Sequence, residues 1–163
     1  VTTPFVVDPV PAPERARHDH MVRRFGRRAE LIFDLRRWAA ERTVAARLVR
    51  AACAQLDAPV PDVTFHRRRS PHTGYAQAPR RRAVMRFGEP TVRAWEERRR
   101  RRWPETGMLR FGDPASLDTI AHELAHHLVH HHEPLRTPDH GKVWVAWYDR
   151  AAVVVAALAP PTR

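Results

Sequence analysis

The sequence predicts an α+β fold, with helices first, a small and mostly antiparallel sheet next, and two long helices towards the carboxy-terminal end. Three observations carry this. Residues 14–57 contain no proline and only Gly26, so nothing interrupts helical structure there. Between 62 and 87, apolar and polar residues alternate in short runs separated by turn formers. MRFGEP at 85–90 and LRFGDP at 109–114 each end in glycine, an acidic residue and proline, a pattern that opens a helix.

In chain order, residues 1–13 carry four prolines and little periodicity, which suits a flexible leader. A single domain is expected over 14–163, with an N-terminal helical extension. In its helical part, Leu31, Leu35 and Trp38 share a face, with Ile32 beside them. A second helix is expected from Thr43, a cap, with Val44, Leu48, Ala51, Ala52 and Leu56 as its apolar stripe. Asp62–Arg67, Thr73–Gln77 and Arg82–Phe87 read as strands. Helices follow at Pro90–Trp103, from Pro114 to about His132, and from near Asp139 to Leu158. The last is apolar around most of its circumference, which predicts burial.

The net charge is +11, with 29 Lys and Arg against 18 Asp and Glu, and Lys142 is the only lysine. Such a surface favours polyanionic partners such as nucleic acid, although general arginine enrichment gives the same charge. WEERRRRRW at 95–103 poses the same choice. Glu96 and Glu97 precede Arg100 and Arg101 by four residues, as in a solvated ion-paired helix, yet the run could also bind phosphates. One cysteine, Cys53, permits no intrachain disulfide and fits a reducing compartment. The stretch from Val143 to Pro161 is broken by Asp149 and Arg150 and is too short and charged to span a bilayer. With no secretory pattern at residues 1–17, a soluble cytoplasmic protein is expected, with no membrane partner.

Residues 119–144 hold seven of the chain's 11 histidines. His122 and His126, four apart, project from nearly one helix face, with Glu123 to the side. This H-E-x-x-H spacing suits two neutral nitrogen ligands and a carboxylate able to take a proton from a metal-bound water. Several residues could complete the set. His130 lies about 12 Å along the helix axis from His122 at 1.5 Å per residue, too far to share an ion. His132 would need a sharp break at Val129, a β-branched residue that resists it. Glu133 ends the same helix, and Asp139 reads as a cap. His140 follows a proline-rich loop long enough to reverse direction, and Gly141 beside it would let the backbone pack closely. His140 is therefore the favoured third ligand, with His132 and Asp139 as alternatives. His127 and His131 point away and suit the helix end as cations. His66 and His72 read as ordinary surface residues.

His122-Glu123-Leu124-Ala125-His126, followed by His140-Gly141-Lys142-Val143-Trp144, resembles the SprT-like (Spartan-type) zinc metallopeptidases. Their pattern pairs H-E-x-x-H with a downstream H-G-x-x-aromatic. Here the aromatic is Trp144 where phenylalanine is usual, and Pro90–Trp103 looks like an insertion. The resemblance implies a zincin-like fold whose active helix is followed by a ligand-bearing helix. It implies Zn2+ on His122, His126 and His140, with Glu123 as general base. It also implies peptide-bond hydrolysis, with DNA-associated proteins as substrates.

On that expectation, Tyr75, Tyr148 or an arginine would steady the tetrahedral oxyanion. Residues 107–111 would present an edge strand to a protein or peptide substrate. Two rival readings stand beside it. One is a basic nucleic-acid-binding protein with a structural or vestigial zinc site. The other is a metallohydrolase acting on a non-peptide amide.

Overall fold

Apolar residues recur at Leu117, Ile120, Ala121, Leu124, Ala125 and Leu128, and one helix buries them all. The structure is a computed structural model describing residues 5–7, 23, 29–66 and 70–159. Its helices are α1 (Ala29–Arg37), α2 (Arg42–Gln55), α3 (Arg80–Phe87), α4 (Glu89–Arg99), α5 (Leu117–His132) and α6 (Lys142–Leu158). Its strands are β1 (Phe5–Val7), β2 (Trp38–Ala40), β3 (Asp62–His66), β4 (Gly74–Gln77), β5 (Met108–Gly112) and β6 (Ala115–Ser116). Helix α5 is the spine. It packs on α6, α1 and α2, and on β4 and β5. Its buried residues reach Asp118, Thr119, Glu123, His127 and Val129 as well as the apolar stripe. Among the described residues, no helix is long and apolar enough to cross a membrane.

The α+β class holds, with two small sheets in place of one. The first has the order β1-β2-β6 and is antiparallel throughout. The second has the order β3-β5-β4, with β3 parallel and β4 antiparallel to β5. Strand β5 is therefore paired on both sides, so residues 107–111 are not the expected edge. That position belongs to β4, whose outer side has no described strand partner. Strand order depends on long-range pairing, which the local alternation pattern does not contain.

Several expected boundaries shift. In the leader, residues 5–7 form β1, and the rest lies outside the described residues, as do residues 14–28 apart from Arg23. Trp38 leaves α1 and sits in β2, still packed against the core. Thr43 lies inside α2, which starts after Glu41. Its stripe is buried at Val44, Leu48, Ala52 and Leu56, joined by Cys53, whose thiol burial pushes up to about 12. The expected strand Arg82–Phe87 is helix α3. Arg, Ala and Met are strong helix formers, and Pro79 and Gly88 bound the segment. Pro114 does not open α5. Residues 115–116 pair with β2, and Ser116 then caps the helix, its side chain accepting from the Thr119 N–H at 3.0 Å. Helix α6 starts after Gly141, past Asp139, and buries one stripe of Trp144, Tyr148, Ala151, Ala152 and Val155 rather than most of its surface.

Helices α3 and α4 pack on each other as a hairpin fastened to the rest by polar anchors. Arg80 binds Glu89 at 2.7 Å and Glu96 at 2.9 Å. Glu96 also accepts from the Trp103 N–H at 2.9 Å. This commitment, with α4 ending at Arg99, displaces the expected pairing of Glu96 and Glu97 with Arg100 and Arg101. Trp103 Nε1 donates to the Ala78 carbonyl at 2.7 Å. Arg82 reaches further and donates to the carbonyls of His130 and Glu133, both at 2.7 Å, and of Pro134 at 2.6 Å. These acceptors lie at the carboxy-terminal end of α5, where helical carbonyls lack partners and the dipole favours a cation. Replacing Arg82 by alanine is expected to lower unfolding free energy by about 2 kcal/mol, read from the denaturant midpoint, with Arg82→Lys in between.

Candidate metal centre

The i, i+4 spacing puts the His122 and His126 rings on one side of α5, their centroids 5.1 Å apart. The loop after α5 then returns the chain at His140. Its Nε2 lies 3.1 Å from Nε2 of His126 and 3.2 Å from Nε2 of His122. Donors about 2.05 Å from a tetrahedral ion sit about 3.3 Å from one another, so these separations match a shared ion. The three residues form a metal-competent group whose ligand atoms lie within 4.8 Å of one another.

His140 reaches this position with a φ of +56°, in the left-handed region. For a residue bearing a Cβ, that conformation costs about 1–2 kcal/mol, and such strain concentrates at functional sites. Gly141 does not face α5 as expected. A Cβ there would meet Pro138 at 3.3 Å, and the residue caps α6.

Trp144 forms the base of the site. It is 2% exposed, and its ring centroid lies 4.8 Å from His122, 5.3 Å from His126 and 4.5 Å from His140. One buried indole therefore limits the rotation of all three imidazoles. Tyr148 stacks against Trp144 at 5.0 Å and donates its hydroxyl to Asp118, which also pairs with Arg36 at 3.5 Å. Asp139, weighed as a ligand from the sequence, lies 3.7 Å from Nδ1 of His126, behind the ring. At that distance the carboxylate acts on the ring through its charge, without a hydrogen bond. Burial, aided by His140 and opposed by Asp139, lowers His126 to about 4, so its ring is neutral near pH 7 and its lone pair is available.

The other histidines of the run have separate duties. His127 donates from Nε2 to the Pro59 carbonyl at 2.7 Å, His131 to Thr106 at 3.2 Å, and His132 to Leu56 at 3.1 Å while stacking on Trp147. These bonds tie α5 to the loops around it and remove His132 from the ligand set. Burial lowers His127 to about 4 and also lowers His131, so neither serves as the expected helix-end cation. His130 lines the cleft wall rather than the nitrogen cluster. His72 is exposed and His66 half-buried, both away from the cluster.

Glu123 is 7% exposed, and burial raises its carboxyl to about 7. Gly74 of β4 lies directly against it. A Cβ on Gly74 would fall 2.6 Å from Glu123 Cγ and Oε1, and 2.8 Å from Thr119 Cγ2. Only glycine lets strand and carboxylate approach this closely. A cleft of about 530 Å³ opens here, lined by residues 74–78, Arg86, Phe87, Trp103, Glu123, His126 and His140 among others. Tyr75 stands on its wall. The sequence reading missed Gly74, Asp139 as a ring partner, and Trp144 as the shared base. Compared with protein-family models, curated proteins and solved structures, the chain gives no match.

Replacing His140 by glycine is expected to abolish stoichiometric metal binding, measured by elemental analysis of the purified chain, without loss of metal-free stability because the left-handed strain is relieved. His132→Ala is expected to retain the metal.

Proposed function

We propose that this chain is a zinc-dependent metallopeptidase of the H-E-x-x-H type, in line with its resemblance to SprT-like enzymes. The observation that carries the proposal is the convergence of three Nε2 atoms beside a buried glutamate and a strand edge with no partner among the described residues. His122, His126 and His140 would hold the ion. Three nitrogen donors with one side open describe a catalytic rather than a structural zinc site. When bound, zinc supplies Lewis acidity to a water and to a substrate carbonyl.

The remaining work falls to the chain. Glu123 Oε1 or Oε2 takes the proton of the attacking water and returns it to the departing amine. A carboxyl raised to about 7 by burial is matched to that double role, although a nearby dication would draw it down again. The outer edge of β4 offers main-chain groups to an extended polypeptide as an added strand. Tyr75 and Arg86 line the cleft and can donate to a developing oxyanion, whereas the Tyr148 hydroxyl is committed to Asp118. Asp139 places a negative charge 3.7 Å from Nδ1 of His126.

DNA-associated proteins remain the proposed substrates. Support comes from Arg98–Arg101, all exposed, which join no ion pair among the described residues, with Arg99 and Arg101 over the Trp95 ring. The same run supports the rival reading of a nucleic-acid binder. That reading requires no turnover, so the proteolytic test separates the two.

With zinc present, the chain is expected to cleave denatured casein, and chelation is expected to stop it. Glu123→Gln is expected to keep one zinc per chain and lose at least about 100-fold in rate. Full turnover by that variant would remove Glu123 from the mechanism.

A further inference from the structure

The described residues include five exposed large apolar side chains, and three of them, Tyr75, Met85 and Phe87, lie at or beside the cleft. Phe87 and Trp103 also wall a second, smaller space. It is a recess of about 300 Å³ between α4 and the end of α3, completed by Thr91, Val92, Ala94 and Trp95, with Arg98 its one charged lining residue. Phe87 and Trp103 line both, so the recess adjoins the cleft.

The strand geometry orients this surface. Gly74 lies against Glu123, and the Ala78 carbonyl, four residues on and just past the end of β4, accepts from Trp103 Nε1. At ~3.3 Å per residue the two positions are about 13 Å apart. A polypeptide added to the outer side of β4 in the more stable antiparallel sense runs from the Trp103 end towards Glu123. Residues on the amino-terminal side of the bond to be broken therefore pass the recess, about four positions before it.

The geometry points to a specificity subsite: the α3–α4 hairpin holds, in the recess between Phe87, Trp95 and Trp103, an aromatic side chain located three to five residues before the scissile bond of an extended polypeptide. This rests on the peptidase reading. The recess suits a ring because its walls are aromatic and offer edge and face contacts. A lysine or arginine would place its charge beside Arg98, whereas acidic neighbours of the ring would be favoured there.

The test separates binding from turnover. Fluorescein-labelled extended peptides with one phenylalanine among acidic and small residues, and their phenylalanine-to-alanine counterparts, are titrated against zinc-loaded Glu123→Gln. Cleavage sites left by the wild type in denatured casein are mapped in parallel. The phenylalanine peptide is expected to bind at least tenfold tighter than its counterpart. Phe87→Ala should remove the difference, and so should Ala94→Leu, which fills the recess from an exposed helix position and leaves the core intact. Casein sites should carry Phe, Tyr or Trp three to five residues before the broken bond. Equal affinity for the two peptides, or a preference that survives Ala94→Leu in a folded variant, overturns the subsite. Cleavage without aromatic preference overturns it while leaving the peptidase standing. Aromatic-dependent binding without any cleavage keeps the recess as a peptide site and overturns the peptidase.

Discussion

Everything at the site depends on the packing of α5 against α6 through Trp144. The indole is nearly inaccessible and touches the rings of His122, His126 and His140 from below. Removing a buried side chain of this size costs about 3–5 kcal/mol, so the ring is both core and scaffold. Two of the three imidazoles come from α5, and the third comes from the turn that starts α6. Their convergence is thus a consequence of how the two helices meet. The apolar stripe of α5 fixes its rotation, and its rotation fixes where His122 and His126 point.

Local conformations that are unfavourable in themselves surround this packing. His140 is left-handed, Glu123 is a carboxyl held away from water, and Gly74 is kept free of a side chain so that a strand can lie against that carboxyl. Each is hard to explain as a contribution to stability. Taken together, they concentrate strain, a shifted proton affinity and close backbone approach within one cleft, a combination typical of reactive sites. The adjoining histidines show the opposite behaviour. His127, His131 and His132 each satisfy a loop carbonyl, so a run that looks like one long metal-binding tract divides into a converging trio and a set of structural ties.

What the sequence made legible follows from local geometry. The four-residue spacing of His122 and His126 places both rings on one face, and the length of the loop before His140 allows its return. The buried stripes of α2 and α5 were equally readable from their period. What stayed hidden depended on distant partners. Residues 107–111 look like any short strand, and only the pairing of β5 with both β3 and β4 makes them central. RAVMRF alternates as well as it winds, and Pro79 and Gly88 decide for the helix. Glu96 sits well to pair with Arg100 until Arg80 claims it from another helix. Asp139 had the chemistry of a ligand, and its place behind His126 was set by the fold of the loop.

The most direct test of the shared-ion geometry is X-ray absorption at the zinc edge on the full chain loaded with one equivalent of Zn2+. The account requires a four-coordinate ion with three imidazole nitrogens at ~2.0–2.1 Å and one further light-atom ligand. A spectrum with fewer than three imidazoles in the first shell, or with six oxygen-type ligands, would contradict it.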